Sequence, residues 1–442
     1  MAAGSSLDKW SDFVKFSAAI LALTAVGQKL TNKLSASDRI FSFGPLAQDG
    51  HGHENVSMSE AVLSTSNLKS ADKHENTLVA YLQKTLHEFH PAYFGLIMAT
   101  GIVSLDCRLF SLDEIAGFLF AGNIAIYFLL WVLYVCRAAL FPSRFVADLF
   151  SHKRAFGFFT VVAATNVLGT QYLLFDKNLL FAAVLWWVGL SLWIVLTYSI
   201  FVFLIIQKEK PSLEDGINGG WLLAVVATQS ICVLGCQIQP QLMWMGDLTP
   251  LLLLSFWLFG GMLYIWLISL IFYRYLFFKF EPSDLIPPYW INMGAMAITT
   301  LAGAELIRVF GSTHLIGSML AFMKGLSIMY WATATWWIPM LAVLGVWRHG
   351  VKQFKFTYDP LYWGLVFPLG MYSVCTLKLG TVLEISSLAR IAQVFLVLGL
   401  MAWCLTFLSM AQRPLYVILL LLRCQSHTVE VSTSEEKNYG CK

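Results

Sequence analysis

Between Pro91 and Met410 the chain alternates apolar runs with short polar breaks. Ten runs stand out, at about 91–109, 115–136, 156–175, 179–206, 219–238, 250–273, 287–308, 322–346, 360–378 and 388–410. As helices rising 1.5 Å per residue, each is near the length that crosses roughly 30 Å of hydrocarbon. Helices are required because an unpaired backbone N–H or C=O in lipid costs several kcal/mol. The pattern therefore predicts an all-α integral membrane domain over residues 86–410. Residues 1–85 read as an N-terminal extension, partly disordered, and 411–442 as a tail. The apolar run Phe16–Gly27 in the extension is too short to span, and acidic Asp8 and Asp12 precede it where a signal peptide would be basic. It reads as an amphipathic surface helix.

The ten runs fall into two kinds. Even-numbered runs are bulky, as in Trp186-Trp187-Val188-Gly189-Leu190-Ser191-Leu192-Trp193. Odd-numbered runs carry small and hydroxyl residues near their middles: Ala99-Thr100, Ala164-Thr165, Ala227-Thr228, Thr299-Thr300 and Cys375-Thr376. Thr100, Thr165, Thr228, Thr300 and Thr376 recur at intervals of one helical hairpin. A Leu/Phe/Trp helix is stable against lipid, whereas hydroxyls and amides at that depth need other helices or water. Five hairpins in a quasi-five-fold arrangement satisfy both, with odd helices inside around a central pore. The five threonines are then pore-lining candidates, although small and hydroxyl residues also serve ordinary close packing.

Composition agrees: 58% of the 442 residues are hydrophobic and only 12% charged, too few charges to cover a water-soluble body of this size. It excludes a disordered chain, a nucleic-acid binder and a secreted disulfide scaffold. The basic residues also sort by side. Arg137, Arg144, Lys153, Arg154, Lys208, Lys210, Arg274, Lys279, Arg348, Lys352 and Lys355 follow even runs, against Arg108, Lys177, Arg308, Lys378 and Arg390 after or at the ends of odd ones. The positive-inside rule then puts both termini in the cytoplasm, with the plasma membrane as the expected location.

Little of the sequence reads as catalytic chemistry. The eight cysteines form no C-x-x-C pair, and Cys232 and Cys236, one turn apart, read as packing residues. His51 and His53 lie in a polar stretch of the extension and read as solvated rather than as metal ligands. There is no H-E-x-x-H, no G-x-S-x-G and no intramembrane aspartate pair, so an integral-membrane enzyme is a remote alternative; no catalytic, metal or cofactor site is expected. Glu305 is read as the one acid inside a run. Arg308 lies at i+3, making an intrahelical pair or, alternatively, a proton-coupling site. Lys324 opens the eighth run and either snorkels to the interface or faces the central path.

Phe89–Ser104 (FHPAYFGLIMATGIVS) resembles the first helix of the tellurite-resistance/dicarboxylate transporter family, within the voltage-dependent anion channel superfamily. Trp363–Tyr372 (WGLVFPLGMY) resembles its ninth helix, and Pro288–Gly294 its seventh more loosely. The likeness covers about residues 86–410 and is strongest to prokaryote-type members; yeast malate permeases and plant slow anion channels are relatives. It implies ten helices as five hairpins around an anion pathway, commonly in homotrimers, with small anions as the ligands. The anions would be C4-dicarboxylates such as malate, or inorganic ones, with a proton-coupled dicarboxylate or tellurite carrier as the alternative. It also implies an aromatic pore gate on the ninth helix, at the position of Phe367 here. Pro368 beside it removes a helical hydrogen bond from the Gly364 carbonyl and predicts a kink. The first, third, fifth and seventh runs have no central proline, leaving Gly101, Gly169, Gly235 and Gly303 as their weak points.

Overall fold

A computed structural model describes residues 83, 85–355 and 358–412. The expectations for Phe16–Gly27, for His51 and His53, and for the rest of the extension and tail lie outside the described residues. Among the described residues ten helices are long and apolar enough to span a membrane: α1 Pro91–Leu109, α2 Asp113–Leu140, α3 Ala155–Phe175, α4 Leu179–Ile206, α5 Gly219–Gln237, α6 Leu248–Phe277, α7 Pro287–Phe310, α8 Leu320–Val351, α9 Pro360–Leu383 and α10 Leu388–Gln412. They coincide with the ten predicted runs, and no strand occurs among the described residues. The fold is all-α and membrane-spanning.

Two units can be distinguished. In the smaller, which includes residues 85–89 and 129–147, Arg144 Nε donates to His87 Nε2 at 3.0 Å and the ring of Phe89 stands edge-on to Tyr134. The larger comprises residues 90–128 and 148 onward.

Within the larger unit the odd spans share a construction. Each opens with a short 3-10 turn before its α-helix: Pro91–Phe94, Ala155–Phe158, Gly219–Leu222, Pro287–Trp290 and Pro360–Tyr362. Proline suits the first position of three of these turns, because that N–H has no helical partner anyway. Side chains of His90, Asn218 and Asp359 accept hydrogen bonds from backbone N–H groups two residues on, at 3.0, 2.8 and 2.8 Å. The five turns touch one another in a closed cycle, and so do the five helices, in the order α1–α3–α5–α7–α9–α1.

Burial separates the two kinds of span. Between 72% and 94% of the most apolar window is buried in the odd spans, against 17% to 50% in the even ones. Even spans expose large apolar side chains such as Trp187, Ile205, Trp266, Val343 and Leu405, as a lipid-facing surface requires. Gly101, Gly169, Gly235 and Gly303 are points of close approach. A methyl group there would collide with Val167, Leu234, Leu253 and Ser327 respectively. Pro368 lies inside the continuous helix Trp363–Leu383, and its ring packs on Gly294 of α7.

The tightest of these approaches joins two opening turns: a Cβ on Gly219 would lie 2.5 Å from the Pro288 carbonyl oxygen and 2.6 Å from Tyr289 Cα. Backbone cannot give way as a side chain does. Gly219→Ala should lower stability in detergent by about 1–3 kcal/mol. Gly117→Ala, where nothing lies within 4 Å, should be neutral or slightly stabilising. Thermal unfolding of the two variants beside the parent checks both.

Candidate functional site

Polar side chains in the odd spans must be paired or face water, and the structure divides them between these fates. One set is paired by the even spans. Trp403 Nε1 of α10 donates to Thr100 Oγ1 at 2.9 Å, and Trp193 Nε1 of α4 to Thr228 Oγ1 at 2.8 Å. Trp331 Nε1 of α8 donates to Thr376 Oγ1 at 2.9 Å, and Tyr127 OH of α2 bonds Thr165 Oγ1 at 2.9 Å. From α6, Trp257 Nε1 donates to the Thr299 carbonyl at 2.8 Å. Each even span thus reaches the odd span that follows it, with α10 returning to α1. Thr300 Oγ1 donates to the Met296 carbonyl of its own helix at 2.9 Å.

The second set lines a cavity of about 420 Å³ enclosed by α1, α3, α5, α7 and α9. Its wall runs from the middle of each odd span to its C-terminal end: Ile102, Leu105 and Leu109; Asn166, Val167, Thr170, Leu173 and Leu174; Ser230, Val233 and Gln237; Ile298, Leu301, Glu305 and Arg308; Met371, Val374 and Lys378. None of the five threonines Thr100, Thr165, Thr228, Thr300 and Thr376 is among them. The reason is register. Each lies one or two residues from a lining position (Ile102, Asn166, Ser230, Ile298, Val374), and two residues turn a helix by roughly 200°. Depth differs as well: Thr100, Thr165 and Thr228 come nine or ten residues after Pro91, Ala155 and Gly219, but Thr300 and Thr376 come thirteen and sixteen after Pro287 and Pro360.

The cavity's charge sits on α7 and α9. Glu305, 2% exposed, accepts from Arg308 Nε at 2.9 Å and Nη2 at 2.6 Å, as the i+3 spacing predicts. Lys378 Nζ of α9 adds a second cation 3.8 Å from Glu305 Oε1. One carboxylate faces two cations, leaving one net positive charge on the wall. Arg308 is half exposed and Lys378 about a third. Lys324, the other lysine considered from the sequence, does not line the cavity. Across from the charges, Asn166 Nδ2 donates to Ser230 Oγ at 2.9 Å, joining α3 to α5.

Phe367 is wholly buried. It stands four residues before Met371, so it continues the lining stripe Met371–Val374–Lys378 by one more turn. The same step back from Ile102, Asn166, Ser230 and Ile298 reaches Met98, Val162, Val226 and Gly294, all buried. Beneath the cavity the stripes therefore turn apolar on every inner helix.

Two charges of the odd spans, one on the cavity wall and one away from it, are not singled out by the sequence. By sequence, Lys378 reads as one of the charges at span ends. Asp106 contradicts the view that Glu305 is the one acid inside a span: it lies within α1, 1% exposed, beside Ser373 of α9. The signal available for both was the mere presence of a charge within a run.

Comparison with known proteins fits this construction. The family described as voltage-dependent anion channel matches residues 88–411. An uncharacterized transporter of Methanocaldococcus jannaschii is 29% identical over 303 residues, covering 67% of this chain and 86% of its own length. A sulfite efflux pump of Arthroderma otae is 26% identical over 360 residues, covering 76% and 90%. An uncharacterized membrane protein of Mycobacterium tuberculosis is 36% identical over 148 residues, covering 34% and 75%. The chain belongs to the voltage-dependent anion channel family, membrane proteins that transport anions and are not enzymes.

Proposed function

We propose that small anions pass along the axis enclosed by α1, α3, α5, α7 and α9, resting in the 420 Å³ cavity and crossing an apolar constriction that includes Phe367. The observation that carries this reading is the cavity's single net positive charge, made by Arg308 and Lys378 around Glu305. The cavity sits at the C-terminal ends of five helices, where carbonyl dipoles repel anions. A local cation is needed to offset them. Because Glu305 shares both cations, an anion is drawn in without being held as tightly as by an unpaired lysine.

Below the cavity, Met98, Val162, Val226 and Phe367 offer an anion no hydrogen bond, so a narrow path there stays dry and closed. Gly294 on α7 supplies no bulk at that level, and Phe367 is the largest side chain on the stripe. Rotation of one ring would open the path with little other change. With both termini cytoplasmic, as the loop charges indicate, the cavity faces the outside of the plasma membrane and the ring of opening turns faces in.

The sulfite efflux pumps among the relatives support a small inorganic oxyanion as the cargo, with C4-dicarboxylates such as malate as the second candidate. Glu305 is engaged by two cations, which favours a channel-like route over a carrier that cycles a proton on this residue.

Flux from liposomes holding sulfite, malate, chloride, nitrate or tellurite, with and without a pH gradient, tests the reading. Movement should follow the anion gradient alone; movement seen only with a pH gradient would establish the carrier instead. Phe367→Ala should raise flux roughly tenfold, equivalent to removing about 1.4 kcal/mol of barrier. Unchanged flux through folded protein would remove Phe367 from the gate. Arg308→Gln cancels the net charge and should cut flux several-fold at low ionic strength, with the deficit shrinking as salt screens the cavity. Concentration series in low and high salt give that comparison.

A further inference from the structure

Asp106 has no place in the pathway described so far, yet it is a carboxyl group sealed inside a membrane span. Asp106, Ser373 and Ala392 are all buried, at 1% exposure or less. Ser373 Oγ of α9 lies 2.9 Å from Asp106 Oδ1 of α1 and 2.7 Å from the Ala392 carbonyl oxygen of α10. A serine hydroxyl has one hydrogen, a carbonyl oxygen can only accept, and an ionised carboxylate can only accept. With Asp106 ionised, two acceptors would compete for one hydrogen.

The surroundings offer no compensation for a charge. Among the described residues no basic side chain forms an ion pair with Asp106. On α1, Arg108 is paired with Asp113 of α2, and Cys107 is an uncharged thiol. On α9, Lys378 is engaged by Glu305, and Cys375 is another buried thiol. Arg390 of α10 is exposed, and Gln171 of α3 is a neutral amide that accepts from Asn123 of α2. An unpaired buried carboxylate is costly enough that such a group takes up a proton instead. One proton resolves every bond: Asp106 donates to Ser373 Oγ, and Ser373 donates to Ala392.

We propose that Asp106 is a proton-binding site, occupied at neutral pH, whose proton completes a chain of hydrogen bonds from α1 through Ser373 of α9 to α10. The proton locks three spans together, one of them the span that carries Phe367. Its loss would place an uncompensated negative charge on α1 between the cavity-lining Leu105 and Leu109. Anion flux should therefore fall as pH rises through the titration of Asp106. This last consequence rests on the pathway proposed above; the proton site does not.

Infrared difference spectroscopy on the full chain in liposomes reads the proton without reference to transport. Parent minus Asp106→Asn at neutral pH should show the loss of a carboxylic-acid carbonyl band. Loss of a carboxylate band instead overturns the proposal and leaves a bifurcated serine bond to an ionised Asp106. Should Asp106→Asn fail to fold, Ser373→Ala serves: removing the acceptor should shift the acid band, and an unchanged acid region overturns the assignment. For function, both internal and external pH are varied together. The parent's flux should drop several-fold toward alkaline pH while Asp106→Asn, which keeps a donor, stays level. An equal drop in both, or a level parent, refutes the link to transport.

Discussion

In hydrocarbon a polar atom can be satisfied only by another polar atom of the protein or by water trapped with it, and the architecture follows from that constraint. The inner spans carry hydroxyls, amides and one strong ion cluster at depths where lipid would leave them unpaired. The outer spans cover them with a lipid-tolerant surface, and exposed hydroxyls on it such as Ser255, Ser269 and Thr333 bond back to their own helix carbonyls. Trp193, Trp257, Trp331, Trp403 and Tyr127 each join an outer span to the inner layer through one N–H or O–H bonded to an inner-span oxygen. The aromatic richness of the chain is thus a coupling between layers as well as a hydrophobic load.

With that set of groups committed to packing, what remains for the proposed anion path is limited and well defined. Asn166, Thr170, Ser230 and Gln237 supply polar contacts on one side of the cavity, and Arg308 and Lys378 supply charge on the other. Glu305 holds the two cations in place and moderates them. The deep burial of Glu305 beside partly exposed cations suits this arrangement: the carboxylate is anchored and the cations face the water-accessible space.

Much of the fold was legible in the sequence because hydropathy over twenty residues is a strong signal, and all ten spans were placed by it. The inner and outer sets were legible too, since small and hydroxyl residues cannot face lipid in number. The Glu305–Arg308 pair followed from its i+3 spacing. Residue-level assignment within the inner helices was not legible. A recurring threonine gives depth but not azimuth, and one or two residues of register decide between cavity and packing interface. Thr100 and Ile102 illustrate it: the first meets Trp403 and the second meets the cavity. Lys378 and Asp106 were obscured for a different reason. Their partners, Glu305 and Ser373, come from other spans, and nothing local in the chain announces a tertiary contact.

The cycle of inner helices closes only where α9 meets α1, and the outer belt only where Trp403 of α10 meets Thr100 of α1. A ribosome makes these partners about three hundred residues apart. Until the ninth and tenth spans enter the bilayer, α1 has an unfinished flank, with Thr100 and Asp106 lacking the groups that satisfy them. The nascent chain is an open arc that completes itself at its last step. Biogenesis therefore depends on whatever shelters that first helix at the insertion site while the rest is being made.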